Sequence, residues 1–196
     1  LKRPPVGGGH LYHVEVGGWS VEGQISLLLV DRAGGEVQAG ADDISVVTGF
    51  AEVARADVLT VLVDGERLVD TRTRHNLRSD ITMVLQALHD GEALSPTTRL
   101  ALVLTKLDIV SSSEREEQAL NDFNTLLEEI QRLFGSSIAE VEPFKIAASP
   151  KSFAIRRGTG VSGLLKFWLS PVLTPKPPVP LQNRPARFFS LLRTLY

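Results

Sequence analysis

The 196 residues include no cysteine and a single methionine. Disulfides and thiolate metal sites are therefore excluded, and the expected compartment is a reducing cytoplasm. No stretch approaches the roughly 18 consecutive apolar residues of a membrane helix. The opening Leu1-Lys2-Arg3-Pro4-Pro5-Val6-Gly7-Gly8-Gly9 is basic but has no apolar core of a secretion signal. There is no internal repeat, no Gly-x-Ser-x-Gly, and no cluster of metal-ligand residues. The four histidines include one close pair, His10 and His13, whose glycine-rich setting reads as surface chain rather than a ligand set. Acid is missing from the end of the chain. After Glu142 no Asp or Glu occurs, while Lys145, Lys151, Arg156, Arg157, Lys166, Lys176, Arg184, Arg187 and Arg193 follow. Net charge is only −2, so the first 142 residues are correspondingly acidic. Such a basic end suits an acidic partner, a nucleic acid or an anionic membrane. The favoured reading is a docking surface for another part of the same assembly, with no specific nucleic acid.

What is present is a globular composition, 43% hydrophobic and 22% charged. Leu11 to Val16 alternates as a strand, and the glycines from Gly17 to Gly23 read as a hairpin loop. Ile25 to Val30, Val58 to Val63, Leu100 to Leu104 and Phe144 to Ala148 are short apolar runs of buried-strand type. Ile44 to Ala56 is weakly helical. Thr71 to His89 is amphipathic, with Leu77, Ile81, Val84, Leu85 and Leu88 on one face. A helix with a capping box of Ser113 and Glu116 is expected to carry Leu120, Phe123, Leu127, Ile130 and Phe134, and to stop at Gly135. Gly160-Val161 opens a last helix through Leu169. Pro171 to Pro185 holds six of the eleven prolines, so residues 171–196 read as a Pro-rich basic extended tail and residues 1–170 as the domain. Buried strands alternating with amphipathic helices predict an α/β fold, a mostly parallel sheet with helices on both faces. Ligands of such sheets lie beyond the carboxyl ends of the strands.

Three strand ends carry candidate chemistry. The first is Asp31-Arg32-Ala33-Gly34, the second Thr105-Lys106-Leu107-Asp108, the third Ala148-Ser149. A carboxylate just past a buried strand can hold magnesium, usually through water, and that assigns Asp31. A glycine three residues on leaves its N–H free to approach a terminal phosphate. Asp108 can accept from the adjacent N–H donors that guanine offers. The Lys106 stem can cover the base plane with methylenes, and the Ala148 N–H can donate to a ring carbonyl.

In this order the residues resemble the Asp-x-x-Gly, Asn/Thr-Lys-x-Asp and Ser-Ala-x motifs of the Ras-like P-loop GTPase superfamily. The resemblance extends over about residues 11 to 169. Val61-Leu62-Val63-Asp64-Gly65 is similar to the fourth strand of that family, and Gly158-Thr159-Gly160-Val161 to the opening of its last helix. Among subgroups the chain is similar to bacterial double-GTPases. The resemblance implies a GTP-binding molecular switch with GTP or GDP and Mg2+ as ligands. It places Asp31, Gly34, Thr105, Lys106, Asp108, Ala148 and Ser149 at the nucleotide. The loop from Gly34 to Asp43 would report nucleotide state to a protein partner.

The family's Gly-x-x-x-x-Gly-Lys-Ser/Thr loop is missing, and residues 1 to 10 are too few for the strand and helix that carry it. The expected fold therefore lacks its first strand, phosphate-binding loop and first helix within these residues. Gly158-Thr159-Gly160-Val161-Ser162-Gly163 matches the glycine spacing of a permuted loop, but Leu164 and Leu165 replace its lysine and hydroxyl residue. Gly35 follows Asp-x-x-Gly where the family often has a water-orienting glutamine, leaving Glu36 as a weak catalytic candidate. Hydrolysis is expected to be slow or partner-dependent. A nucleotide-free scaffold or protein-interaction module is the alternative. Arg67, Arg72, Arg74, His75 and Arg78 could serve phosphates, but read better as a solvated helix start.

Overall fold

The computed structural model describes residues 10–20, 23–31, 50–151 and 154–170. Strands β1 (His10–Ser20) and β2 (Gly23–Asp31) form an antiparallel hairpin in which His10 faces Asp31 and Val16 faces Ile25. Pairing is irregular between Val16 and Ser20, and Ser20 faces Gly23. The expected hairpin loop is thus shorter than Gly17 to Gly23. The glycines continue the strand through an irregularity, which a residue without Cβ accommodates easily.

The second sheet is parallel, with β4 (Arg99–Thr105) between β3 (Val58–Asp64) and β5 (Glu140–Lys145). β4 is the near-continuous apolar run of the sequence because it is covered on both faces. Leu100, Leu102 and Leu104 point to one core with Leu85, Phe123, Ile130 and Phe134, whereas Ala101 and Val103 point to another with Leu164 and Phe167. β5 differs from the expected Phe144 to Ala148. It begins at Glu140 and ends at Lys145, with Ile146 and Ala147 beyond it. It is an edge strand among the described residues and carries exposed Glu140, Pro143 and Lys145, so its pattern is not a solid apolar run, and an edge also tolerates Pro143.

Helices α1 (Ala51–Arg55), α2 (Gly65–Val69) and α3 (Arg74–Asp90) flank β3 in sequence. α3 starts three residues later than expected. Asp70 accepts the Arg72 N–H at 3.0 Å and the Thr73 hydroxyl at 3.2 Å, so a turn occupies those positions. Leu77, Ile81, Leu85 and Leu88 are buried as the periodicity requires. α4 (Leu107–Ser111) and α5 (Glu116–Phe134) follow β4. The expected capping box does not form. The Ser113 hydroxyl accepts the Arg115 N–H at 3.1 Å, Arg115 becomes the N-cap, and no side chain caps the helix. Phe123, Ile130 and Phe134 on α5 are fully buried, each stabilising the fold by about 2 kcal/mol through area removed from water.

α6 (Val161–Leu169) covers the second face. The Trp168 indole N–H donates to Thr60 at 3.0 Å, and the Arg99 guanidinium lies 4.7 Å from the Phe167 ring while donating to the Ser170 carbonyl. Among the described residues α6 is alone on that face. Alternation along β3 puts Leu62 on the same side as Thr60, and Leu62 is 62% exposed. β3 pairs with β4 on one edge, and its other edge has no strand among the described residues. Helices on both faces of the parallel sheet are thus observed, with the second face only partly covered.

Candidate functional site

The carboxyl ends of β3 and β4 meet in register, Asp64 opposite Thr105. The Thr105 hydroxyl donates to the Val63 carbonyl at 3.2 Å and ties the two ends together. Chain direction then changes sharply at Lys106, which adopts φ 53° and ψ 42° and opens α4. A lysine pays about 1–2 kcal/mol for this left-handed conformation, so surrounding contacts must hold it. Leu107 N–H donates to the Ile146 carbonyl at 3.0 Å, anchoring the turn to the end of β5. Gly65 packs against the other side, where an added Cβ would overlap the Thr105 carbonyl oxygen and sit 2.6 Å from a Val110 methyl.

Asp108 lies in the first turn of α4 and is only 7% exposed. Its carboxylate accepts the Lys151 backbone N–H at 2.9 Å. That bond uses one of the carboxylate's roughly four lone-pair positions and fixes its orientation, leaving capacity for further donors. It also fastens the loop carrying Ala148 and Ser149, both exposed, to the Thr-Lys-x-Asp turn. Gly160 (φ 78°) makes the approach between that loop and the sheet possible, because a Cβ there would overlap the Lys145 carbonyl oxygen.

The Lys106 ammonium is 2.9 Å from Asp64 and 2.7 Å from Glu66. Hydrogen bonding to Glu66 and then to Asp64 raises the Lys106 pKa above its ordinary value. The bond from Lys106, and then the charges of Lys106 and Lys151, lower that of Glu66. Asp64 has a second task, since its other oxygen accepts the Glu66 N–H at 2.9 Å and caps α2. Neither carboxylate was singled out from the sequence as a site residue, although Asp64-Gly65 was visible as a strand end. The available signal was chemical: a half-buried lysine in a tight turn needs an anion nearby.

Thr105, Lys106, Asp108, Ala148 and Ser149 are thus brought to one edge of the parallel sheet. Asp31 lies at the exposed end of β2 in the separate hairpin sheet. Gly34 and Glu36, and the loop from Gly34 to Asp43, lie outside the described residues, as does the tail from residue 171. Among the described residues no group of three or more His, Asp or Glu side chains could hold a metal ion. Magnesium at Asp31, as the resemblance implies, could take oxygens of water and phosphate beside the carboxylate. The basic cluster divides. Arg67 pairs with Asp80 at 3.1 Å and Arg78 with Glu129 at 2.5 Å. Arg74, His75 and Arg78 line a groove of about 530 Å³ between α3 and α5. No helix among the described residues is long and apolar enough to cross a membrane.

The family model for Double-GTPase 2 matches residues 7–169 of the chain. No curated protein and no solved structure gives a significant match.

Proposed function

The chain belongs to the Double-GTPase 2 family, and from that premise we propose that it is a GTP-binding switch domain of Ras-like type whose base site is the Thr105–Asp108 turn. The observation that carries the reading is the buried, oriented carboxylate of Asp108 beside Lys106 at the ends of parallel strands. Asp108 accepts the two adjacent N–H groups of guanine, the Lys106 stem covers the base plane, and the Ala148 N–H donates to the ring carbonyl. Ser149 belongs to the same wall. Asp31 holds magnesium through water, and Gly34 approaches the terminal phosphate. The bound nucleotide supplies the phosphate charge that the loop from Gly34 to Asp43 senses and reports to a partner.

The sheet is completed by a strand and a helix carrying the phosphate-binding loop from outside residues 1–196. The edge of β3 that has no strand among the described residues, and the exposed Leu62 beside it, support this, since such elements would bury both. Hydrolysis is slow or depends on a group supplied by a partner, because Gly35 has no side chain with which to orient water. The absence of Gly-x-x-x-x-Gly-Lys from the 196 residues favours one other reading, a nucleotide-free scaffold.

Calorimetry of the full-length protein with GDP and magnesium separates the two. Binding at micromolar affinity or better is expected. Asp108→Asn should weaken GDP by at least tenfold, given about 1.5–3 kcal/mol per hydrogen bond to a charged group. It should spare xanthosine diphosphate, whose extra carbonyl can accept from an amide. Equal loss of both nucleotides would remove Asp108 from base reading, and no heat with GDP would point to the scaffold.

A further inference from the structure

We propose that Asp64 and Glu66 are positioning residues for the base site, holding the Lys106 ammonium so that the lysine stem stands ready as one wall of the guanine pocket. The inference rests on the guanine reading above. Three features support it. First, Lys106 is restrained at both ends by one segment. Its backbone packs on Gly65, and its ammonium reaches the residues on either side of that glycine. Second, Asp64 is itself fixed, because one oxygen caps α2 through the Glu66 N–H while the other takes the lysine. A free lysine has many rotamers to lose, and ordering the stem before the base arrives removes part of the binding penalty. Third, two carboxylates surround one ammonium, so the cluster has a net negative charge. That potential suits a base edge rich in N–H donors and disfavours a phosphate, and it commits the Lys106 ammonium to carboxylates rather than to a triphosphate. The lowered pKa of Glu66, caused chiefly by its bond to Lys106, agrees with a carboxylate that stays ionised and engaged at neutral pH.

A mutant cycle on the full-length protein, read by GDP calorimetry, tests this. Glu66→Gln should weaken GDP roughly two- to fivefold, the range of an exposed ion pair, without altering the preference for GDP over xanthosine diphosphate. Lys106→Met should weaken GDP at least as much. In the Lys106→Met background Glu66→Gln should have no further effect. A merely structural Glu66 would cost the same factor in GDP affinity in both backgrounds, which overturns the proposal. Wild-type affinity in Glu66→Gln, with GDP bound normally, also overturns it and leaves the guanine reading intact. Absence of GDP binding in the wild type defeats both.

Discussion

Replacing Gly65 with alanine sets two opposing effects against each other. Gly65 is the first residue of α2 and is not left-handed, so backbone conformation does not require glycine there. Helix propensity alone would favour alanine by up to about 1 kcal/mol, and less in a first turn. Packing opposes it. The new Cβ would overlap the Thr105 carbonyl oxygen and lie 2.6 Å from Val110 Cγ2. Val110 can yield by a rotamer change, but the carbonyl belongs to the end of the central strand, where Thr105 is tied to Val63. Inserting a methyl into a filled site typically costs about 1–3 kcal/mol, so the overlap wins and a net loss of roughly 1–2 kcal/mol is expected. At this chain length the melting temperature should fall by roughly 2–8 °C, measured by circular dichroism alongside urea denaturation. Val110→Ala in the Gly65→Ala background should recover little, because the backbone contact remains. A Gly65→Ala variant as stable as wild type, or more so, would refute the close-approach argument. Full recovery in the double variant would assign the overlap to the Val110 methyl alone.

The carboxylate pair around Lys106 should show its pH window by side-chain NMR. The Glu66 carboxyl has a lowered folded pKa, so its ionic contribution is complete at neutral pH and disappears as pH falls through that lowered value. The Lys106 ammonium has a raised folded pKa, so its contribution is present below the ordinary lysine value and disappears as pH rises through the raised one. The Glu66 carboxyl carbon should therefore titrate below the ordinary glutamate value and move back up in Lys106→Met; an unchanged midpoint would break the pairing. Leu62→Lys tests completion of the sheet. In residues 1–196 alone, stability should change by no more than about 0.5 kcal/mol, as for other surface substitutions. In the full-length protein, where a helix is proposed to cover Leu62, a loss of about 2 kcal/mol or more is expected from burying a charge in its place. Equal small effects in both would leave that face uncovered.

Periodicity located the parallel sheet and its principal helices because burial imposes it. β4 is apolar throughout since both its faces are covered, and α3 and α5 display their buried stripes at helical spacing. Boundaries were less legible where short-range polar bonds decided them. Asp70 takes the N–H of Arg72 and delays α3, and Ser113 takes the N–H of Arg115 instead of capping α5. Two side chains that can form the same bonds in several local geometries leave no periodic trace. β5 was misplaced for a related reason: an edge strand alternates polar and apolar residues, and Glu140 and Glu142 conceal it within an apparently polar stretch.

Thr105-Lys106-Leu107-Asp108 was legible as a candidate site because it follows the apolar β4 and the ends of parallel strands meet at one edge, whereas Asp31 ends an antiparallel strand of the separate hairpin sheet. The chain order could not show what surrounds Lys106. Asp64 and Glu66 are about 40 residues away, at separations of 42 and 40 positions, and reach it only because β3 and β4 pair in register. Burial of Asp108 and its bond from Lys151, 43 positions later, likewise depend on α4 and the loop beyond β5 folding together. Sequence determines which residues can do the chemistry. The tertiary structure decides which charges meet, since ion pairing falls off within a few ångströms and that proximity is created by strand register rather than by spacing along the chain.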